Sequence, residues 1–470
     1  MNEQEIQRVI GQVMEQLKSQ GGPAGKGHIS GTRTGIFSDI NDAIAAAKEA
    51  QYRLGTMKLE IRGRLIDAIR AVVEKNVELI ARTSVEETGL GKYEDKVQKN
   101  LLAARKTPGI EDVRPRAYTG DYGFTLEERA PYGVIGAITP STNPSETVIC
   151  NGIGMIAAGN AVVFNSHPGA KKVTRLTIEL INQAIIEAGG PANLLCGVEN
   201  PTIETGNILM HHKDIRILVV TGGPGIVKAA MNSGKKVIGA GPGNPPVVVD
   251  ETADIRQAAR DIVDGAAFDN NVLCIAEKEV FVVQEAAKEL VTEMLADGAY
   301  FLKEEQLDEL MKHITVEKDG KRVVNRKYVG KDIQVILSAI GLTVDREYKL
   351  AIAVVDRSHP LVDLEQLMPV LPVVPVRDVN EAIAFAYEAE QQCFHTAMMH
   401  SKNVENLSKM ARVMNTSIFV KNAPSYSGLG MCGEGHTTFT IASPTGEGLT
   451  SPRSFTRQRR CVLRDQFRIV

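Results

Sequence analysis

The 470-residue sequence has little excess charge of either sign and no long apolar run. Its 54 Lys and Arg residues nearly balance 57 Asp and Glu residues, which leaves a formal net charge of -3. This balance argues against nucleic acid or an anionic membrane surface as a partner. No window approaches the about 18 consecutive apolar residues of a membrane-spanning helix, and the first residues lack the pattern of a signal peptide. We therefore expect a cytoplasmic protein without a membrane span.

Cysteine is also scarce, with six residues and no CxxC pair. A disulfide framework or a zinc ribbon needs closer and paired spacing, so reduced thiols are expected. His395 and His400 have the wrong separation for two ligands on one helix face, and no metal site is predicted. Composition does not single out one reactive thiol, because most buried cysteines act as small hydrophobic side chains.

The first 35 residues differ from the rest of the chain. Apolar residues follow a helical period, which predicts an amphipathic helix over residues 1–20. They are Ile6, Val9, Ile10, Val13, Met14 and Leu17. The Gly-rich stretch that follows predicts a flexible linker over residues 21–35. The helix either docks on its own domain or dimer partner, or is a short peptide that enters a groove on another protein.

Apolar strands and amphipathic helices alternate after about residue 130. YGVIGAIT, NAVVFN and IRILVV each precede a helical pattern, and a second series opens at KVIGAG. This rhythm predicts parallel sheets that are covered by helices on both faces. Turn signals between short alternating runs predict a hairpin at 118–129.

Two loops follow predicted strands, TPSTNPSE at Thr139–Glu146 and TGGPG at Thr221–Gly225. Open α/β sheets bind ligands at the carboxyl ends of their strands, and backbone N–H groups of TGGPG can face an anion at a helix N-terminus. TGGPG is not a dinucleotide fingerprint or a P-loop, so a tight turn is an equal interpretation. The Asn143 amide can donate to an oxyanion, although Asn before Pro is also a common turn residue.

Several ordered motifs resemble the CoA-acylating aldehyde dehydrogenases of bacterial microcompartments, over residues from about 35 to the end. They include STNPSET, FNSHPGAKK, VVTGGPGIV, FDNNVLCIAEKEV and PTGEGLTSPRSF. The resemblance implies an aldehyde dehydrogenase-like α/β fold with three parts. These are a Rossmann-like NAD- and CoA-binding domain (36–117 and 130–236), a catalytic domain (237–424) and an oligomerisation hairpin and tail (118–129 and 425–470). It also implies a homodimer or homotetramer.

The N-terminal helix is similar to the targeting peptides of such enzymes. The resemblance therefore implies a shell protein as a partner, bound through residues 1–18, and a location inside a microcompartment lumen.

The resemblance also assigns roles to individual residues. Cys274 matches the nucleophile, and Asn143 matches the amide that forms an oxyanion hole with the backbone N–H of the nucleophile. Glu365, or the adjacent Gln366, matches a contact to the nicotinamide ribose. The matching cofactor positions are Thr139, Pro140, Ser141, Thr142, Asn165, His167, Pro168, Gly169, Thr221, Gly222, Gly223, Gly239 and Glu365.

At two positions this sequence differs from the hydrolytic members of the superfamily, and both differences bear on which reaction we expect. Gly239 stands where those enzymes carry the Glu that activates water, and Asn165 stands where they carry a Lys. A thioester without a general base hydrolyses slowly, so a bound thiol can take the acyl group. The expected reaction is ping-pong and converts propionaldehyde or acetaldehyde, CoA and NAD⁺ to acyl-CoA and NADH. His395 and His167 are the acid/base candidates.

Two other functions stay open at this point. One is a hydrolytic aldehyde dehydrogenase that forms the free acid. The other is a non-catalytic, shell-associated protein that binds the cofactor. The sequence does not decide between propionaldehyde and acetaldehyde, because one methylene changes binding by only about 1 to 3 kcal/mol.

Overall fold

The computed structural model describes residues 34–318 and 320–467. The predicted helix at 1–20 and all but the last two residues of the predicted linker lie outside the described residues. The α-helices of the described part are, in chain order, α1 (Ile40–Thr56), α2 (Leu59–Lys75), α3 (Val77–Thr88), α4 (Tyr93–Lys106), α5 (Pro144–Ala157), α6 (Lys171–Glu187), α7 (Ile203–His211), α8 (Pro224–Met231), α9 (Ile255–Ala267), α10 (Gln284–Ala296), α11 (Glu304–Ile314), α12 (Ile333–Ser338), α13 (Val379–Ala389) and α14 (Val404–Met414).

Within the described residues, the strands form two large sheets and three small ones. In chain order, the strands of the described residues are β1 (Ile36–Phe37), β2 (Arg116–Gly120), β3 (Gly123–Pro131), β4 (Val134–Thr139), β5 (Ala161–Ser166), β6 (Leu195–Val198), β7 (Ile215–Thr221), β8 (Lys236–Ala240), β9 (Pro246–Val249), β10 (Glu279–Val283), β11 (Ala299–Phe301), β12 (Thr315–Lys318), β13 (Lys321–Val324), β14 (Leu350–Val354), β15 (Val370–Val376), β16 (Thr396–His400), β17 (Ile418–Lys421), β18 (Ile441–Ala442), β19 (Gly448–Leu449) and β20 (Thr456–Arg464).

The first large sheet is parallel and has the order β1-β6-β5-β4-β7-β8. Every residue of β4 and β5 is buried, as expected for central strands that are covered on both faces. The apolar runs VIGAIT and AVVFNS therefore fold as predicted. The prediction that the strand in KVIGAG opens the second series is wrong. This strand pairs with β7 and belongs to the first large sheet.

The second large sheet is also parallel, with the order β11-β14-β15-β10-β9-β16-β17. Helix α9 begins at Asp254, whose side chain accepts a hydrogen bond from the Gln257 N–H, and it packs against α10. One hydrophobic core contains buried side chains from both large sheets. A second, smaller core lies around α11, α12 and β14. The predicted parallel α/β architecture is thus confirmed.

The predicted hairpin consists of β2 and β3, and β20 pairs along the other edge of β3 in antiparallel orientation. The tail assigned to residues 425–470 is only partly in this arm. Residues 456–464 form β20, whereas Thr438, Phe439 and Ile441 line a cavity next to the first sheet. The strand of the arm thus begins at Thr456, and the assignment of residues 425–470 to an oligomerisation tail stays a prediction.

Candidate active site

A cavity of about 540 Å³ lies where the carboxyl ends of β4 and β7 face the loop between α9 and β10. Its walls include Pro140 to Asn143 after β4, Thr221 to Pro224 after β7, and Val272 to Ile275 ahead of β10. The carboxyl ends of parallel strands are the usual ligand sites of such sheets. The two loops that the sequence placed at a ligand site therefore line one cavity together with Cys274.

Cys274 follows three consecutive residues in the left-handed backbone region. Asp269, Asn270 and Asn271 have φ angles of 50°, 52° and 64°. Side-chain hydrogen bonds hold this turn: the Asn270 amide donates to the Gly330 carbonyl at 3.0 Å, and the Asn271 amide donates to the Ala266 carbonyl at 2.8 Å. Strained backbone persists only where its surroundings fix it. The turn gives the half-buried Cys274 a defined position on the cavity wall.

The environment of Cys274 favours the neutral thiol. Burial and the nearby Glu365 carboxylate raise its pKa to about 12, while Lys278 and Lys99 act in the opposite direction. The other buried thiols, Cys150 and Cys196, do not line the cavity. Because a thiolate is the reactive form, Cys274 needs a proton acceptor when it reacts.

Lys278 lies directly behind the Cys274 loop. Its fully buried ammonium group donates to the Asn271 carbonyl at 3.0 Å and to the Leu273 carbonyl at 3.1 Å. Burial lowers the pKa of Lys278 to about 8, although Glu365 and Cys274 oppose that shift. The lysine thus fixes the backbone on both sides of Val272.

Asn143 lies at the N-terminus of α5, on the cavity wall. Its side chain makes no capping hydrogen bond, although Asn is among the best capping residues. The amide oxygen instead accepts a hydrogen bond from the Lys99 ammonium group at 2.5 Å. The amide nitrogen has only a long contact of 3.3 Å to the Thr142 hydroxyl.

A buried charge cluster behind Asn143 was missed by the sequence analysis. Lys96 and Lys99 of α4 both contact the Asp269 carboxylate, at 3.0 Å and 2.5 Å, and Lys99 lies 3.2 Å from Glu146. Burial lowers the pKa of Lys96; for Lys99, burial is outweighed by Asp269 and Glu146, which hold its pKa above the ordinary value. One signal was available: Lys96, Lys99 and Ala103 share the helix face that packs inward.

Glu365 lines the cavity, and its Oε1 accepts a hydrogen bond from the Gly243 N–H at 3.3 Å. Burial raises the pKa of the Glu365 carboxyl group. The alternative residue Gln366 points elsewhere, because its amide donates to the Lys278 carbonyl at 2.6 Å. Of the two neighbours that the sequence left open, Glu365 is the one on the cavity wall.

His167 and His395 have different environments. His167 is exposed, lines the cavity beside Gly169, and accepts a hydrogen bond from the Gly169 N–H at 3.1 Å. His395 is buried, and burial together with Lys278 lowers its pKa to about 4. A methyl group added to Gly243 would lie 2.7 Å from the Cys274 carbonyl oxygen and 3.0 Å from the His395 ring. His395 is therefore neutral at pH 7 and lies close to the Cys274 loop.

Four of the predicted cofactor positions lie outside the cavity wall, namely Thr139, Asn165, Pro168 and Gly239. Thr139 is the last residue of β4 and is buried, and Pro168 lies on the exposed turn after β5. The Asn165 amide oxygen accepts from the Thr205 hydroxyl at 2.6 Å, so this side chain serves the start of α7.

Gly239 requires a correction. Its N–H donates to the Thr445 hydroxyl at 3.0 Å, and an added Cβ would meet Val227 rather than the cavity. Gly241 and Pro242, two and three residues later, are the ones on the wall. No residue from Gly239 to Pro245 carries a carboxylate side chain.

Arg326 was not predicted as a site residue, yet it lines the cavity. Partial burial lowers the pKa of the His167 imidazole, and the nearby Arg326 charge lowers it further. No local motif marks Arg326, because it reaches the site from the loop after β13.

Among the residues that the structure describes, no group of three or more His, Cys, Asp or Glu side chains is placed to hold a metal ion. Within the same residues, no helix combines the length and apolarity of a bilayer span.

Comparison with known proteins gives consistent matches. The model of the aldehyde dehydrogenase family matches residues 20–437. The acetylating acetaldehyde dehydrogenase EutE of Salmonella typhimurium is 49% identical over 473 residues, which cover 100% of both chains. These matches bear out the resemblance that the motifs indicated.

Two solved structures are also similar. Propionaldehyde dehydrogenase from Rhodopseudomonas palustris, with bound CoA and an acylated cysteine, is 50% identical with a TM-score of 0.90 and covers 92% of this chain and 98% of that chain. Propionaldehyde dehydrogenase from the fucose utilisation microcompartment of Clostridium phytofermentans is 48% identical with a TM-score of 0.91, over 93% of this chain and 100% of that chain.

Proposed function

The chain belongs to the aldehyde dehydrogenase family, and on that premise we propose that it oxidises a short-chain aldehyde to an acyl-CoA through a thioester on Cys274. The substrates are propionaldehyde or acetaldehyde, CoA and NAD⁺, and the products are acyl-CoA and NADH. The observation that carries the proposal is the placement of Cys274, Asn143 and Glu365 on the wall of one cavity.

The cavity residues fit a dinucleotide. Thr221 to Gly223 line the cavity just before α8, and a Cβ added to Gly223 would meet nothing within 4 Å. Such an opening lets a phosphate approach the backbone closely. NAD⁺ bound there supplies the acceptor for the hydride. Arg326 adds a positive charge to the same wall, which suits the phosphates of NAD⁺ and CoA.

The first step requires the Cys274 thiol to lose its proton. We assign the proton acceptor to His395, because its ring packs against Gly243 beside the Cys274 carbonyl and its imidazole is neutral at pH 7. The Cys274 sulfur then attacks the aldehyde carbon, and the carbonyl oxygen becomes an oxyanion. The Asn143 amide and the Cys274 backbone N–H donate to that oxygen, and removal of one such donor costs about 10² to 10³ in rate.

Loss of a hydride from the adduct carbon, for which bound NAD⁺ would be the acceptor, collapses the oxyanion to an acyl thioester on Cys274. The acyl group then passes to a thiol. Since Gly239 to Pro245 holds no carboxylate, this segment provides no base to activate water. The CoA thiol is a better nucleophile toward the thioester than neutral water. Attack by the CoA sulfur forms acyl-CoA, releases the Cys274 sulfur and completes the cycle.

One observation favours a second candidate, hydrolysis to the free acid. Glu365 places a carboxylate on the cavity wall, and its raised pKa is what a general base requires. The two reactions separate on one measurement, which is NADH formation with and without CoA.

The experiment combines that measurement with identification of the product. With propionaldehyde and with acetaldehyde, we expect multiple turnovers only when CoA is present, and acyl-CoA by mass spectrometry. The Cys274→Ala variant should form no NADH, while Cys150→Ala, which removes a buried thiol away from the cavity, serves as the control. Equal turnover without CoA, with carboxylic acid as product, would instead establish the hydrolytic reaction.

We further propose that the enzyme works inside a microcompartment lumen, with residues 1–18 binding a shell protein. The amphipathic pattern of that segment and the microcompartment origin of the Clostridium phytofermentans relative support this proposal. A chain lacking residues 1–20 should keep its kcat and lose co-sedimentation with purified shells. Unchanged co-sedimentation of the shortened chain would contradict the targeting role.

A further inference from the structure

The Asn143 side chain has an unusual arrangement for the first residue of a helix. Asn at this place ordinarily folds its amide oxygen back onto the helix N–H groups. In α5 that bond is missing, and the oxygen points to the Lys99 ammonium group instead. An ammonium group has donors only, so the atom that faces it must be the amide oxygen. The amide nitrogen is then the atom left for the cavity.

Lys99 is held in place from three directions. Its nitrogen lies 2.5 Å from the Asp269 carboxylate, 3.2 Å from Glu146 and 2.5 Å from the Asn143 oxygen. The side chain is fully buried, and no solvent competes for these contacts. A buried ammonium group with carboxylate partners loses much of its binding energy when one contact is broken, so its direction is well defined.

Asp269 links Lys99 to the Cys274 loop. Its Oδ1 accepts from the Lys92 backbone N–H at 2.9 Å, and its own backbone N–H donates to Asp95 at 2.7 Å. Asp269 lies five residues before Cys274, in the left-handed turn that places the thiol. The same cluster thus fixes both partners of the reaction, Asn143 on α5 and the loop that carries Cys274.

We propose that Lys99 is a positioning residue that holds the Asn143 amide with its nitrogen toward the cavity, where the oxyanion forms on the Cys274 adduct. This inference rests on the proposed function and deepens it. Lys99 touches neither the thiol nor the aldehyde. Apart from the effect of its charge on the pKa of Cys274, it acts through Asn143. Without Lys99 the Asn143 amide can rotate by about 180° and present its oxygen to the oxyanion. The oxyanion and the partial negative charge on the amide oxygen would then repel each other.

The test is a double-mutant cycle on the full-length enzyme. The readout is the pre-steady-state burst of NADH with aldehyde and NAD⁺ but no CoA, which reports formation of the thioester. Lys99→Met and Asn143→Ala should each slow the burst about 10²-fold, with KM for the aldehyde changed less than threefold. Lys99 also lowers the pKa of Cys274, so each burst rate is first corrected for the iodoacetamide alkylation rate of the thiol. After that correction the double variant should be no slower than Asn143→Ala alone, because Lys99 has no amide left to orient.

Lys96→Met is the matched control. Lys96 is equally buried and shares Asp269, but it donates to the Thr142 carbonyl at 2.7 Å and not to the Asn143 amide. In the double variant of Lys96→Met and Asn143→Ala, the fold-reductions of the burst rate from the two single variants should multiply. If both lysines couple equally to Asn143 in the cycles, the effect comes from their shared partner Asp269, and the proposal is overturned. The proposal is also overturned if the fold-reductions of the burst rate in Lys99→Met and Asn143→Ala simply multiply in the double variant.

A second measurement covers the case in which Lys99→Met does not fold. Asn143→Asp keeps an oxygen for Lys99 and removes the amide donor. It should melt at a higher temperature than Asn143→Ala and yet give no faster burst. A lower melting temperature than that of Asn143→Ala would show that the Lys99 contact is not made. A wild-type enzyme without any NADH burst would refute the proposed function itself, which is a separate result.

Discussion

Single residues set the protonation state of the nucleophile. Burial, and after it Glu365, raise the pKa of Cys274, whereas Lys278 and Lys99 lower it, and the net result favours the neutral thiol. A neutral thiol reacts slowly with electrophiles, because the thiolate is the nucleophilic form. The reactive thiolate must therefore be produced by a neighbouring proton acceptor, the role that we assign to His395.

The first prediction concerns the Glu365 carboxylate. Glu365→Gln removes a negative charge that raises the pKa of Cys274, so more thiolate is present at a given pH. Alkylation of Cys274 by iodoacetamide at pH 8 should become several-fold faster than in the wild type. Lys278→Met is the opposite control, since it removes a positive charge and should slow alkylation. A slower reaction of Glu365→Gln would contradict the electrostatic account.

The second prediction concerns His400, which is buried at the end of β16. Burial lowers its pKa from 6.5 to about 4, so below pH 6.5 the unfolded chain binds a proton that the folded protein excludes. His400 therefore leaves the free energy of unfolding unchanged above pH 6.5 and lowers it as the pH drops from 6.5 toward 4. Between pH 7.5 and pH 5 the loss is about 2 kcal/mol.

Urea unfolding at those two pH values tests this linkage. His400→Gln should remove about 2 kcal/mol from the difference in unfolding free energy between pH 7.5 and pH 5. Its unfolding free energy at pH 7.5 can be lower than that of the wild type, and only the difference between the two pH values matters. An unchanged difference would mean that His400 is not the titrating group.

At the scale of elements, two loops meet directly behind Cys274. The loop between α3 and α4 passes so close to the left-handed turn that a Cβ on Gly91 would lie 1.9 Å from the Asp269 carboxylate. Gly91 also has a φ angle of 78°, which other residues rarely adopt. Glycine here permits the Lys92 N–H to reach Asp269 and so supports the whole buried cluster.

The third prediction follows from that close approach. Gly91→Ala should lower the free energy of unfolding by about 2 kcal/mol or more and slow the NADH burst, because Asp269 must move. Gly55→Ala in α1 is the control: its added Cβ meets nothing within 4 Å, so stability should rise by up to about 1 kcal/mol. Thermal unfolding of both variants decides the matter, and a Gly91→Ala protein as stable as the wild type would refute the steric argument.

At the scale of the whole molecule, the sequence predicted the sheets better than the site. Runs such as VIGAIT are readable because central parallel strands are apolar on both faces. The choice of Cys274 among six thiols came only from the family resemblance, since nothing local distinguishes it. Lys99 and Asp269 were missed because they lie 170 residues apart and meet only in the fold. A lysine in a helix with many charges is ordinarily a surface residue.

The last prediction concerns the arm formed by β2, β3 and β20. All residues of β20 after Thr456 are exposed in a single chain, and they include Val462 at 60% and Leu463 at 43% exposure. A nine-residue strand with exposed apolar side chains and unpaired edge groups is a template for another chain. We therefore expect β20 to contribute to the interface of a homodimer or homotetramer.

Two variants test this role by sedimentation velocity. Val462→Lys keeps β20 paired with β3 and places a charge on the exposed surface, which should shift the enzyme to a smaller assembly. Arg464→Lys, on the same strand, preserves the charge and should leave the mass unchanged. Truncation after Phe455 removes the strand entirely and should give at least the same reduction. If both the Val462→Lys protein and the truncated chain keep the mass of the wild-type assembly, the subunits associate through another surface and the arm has a different role.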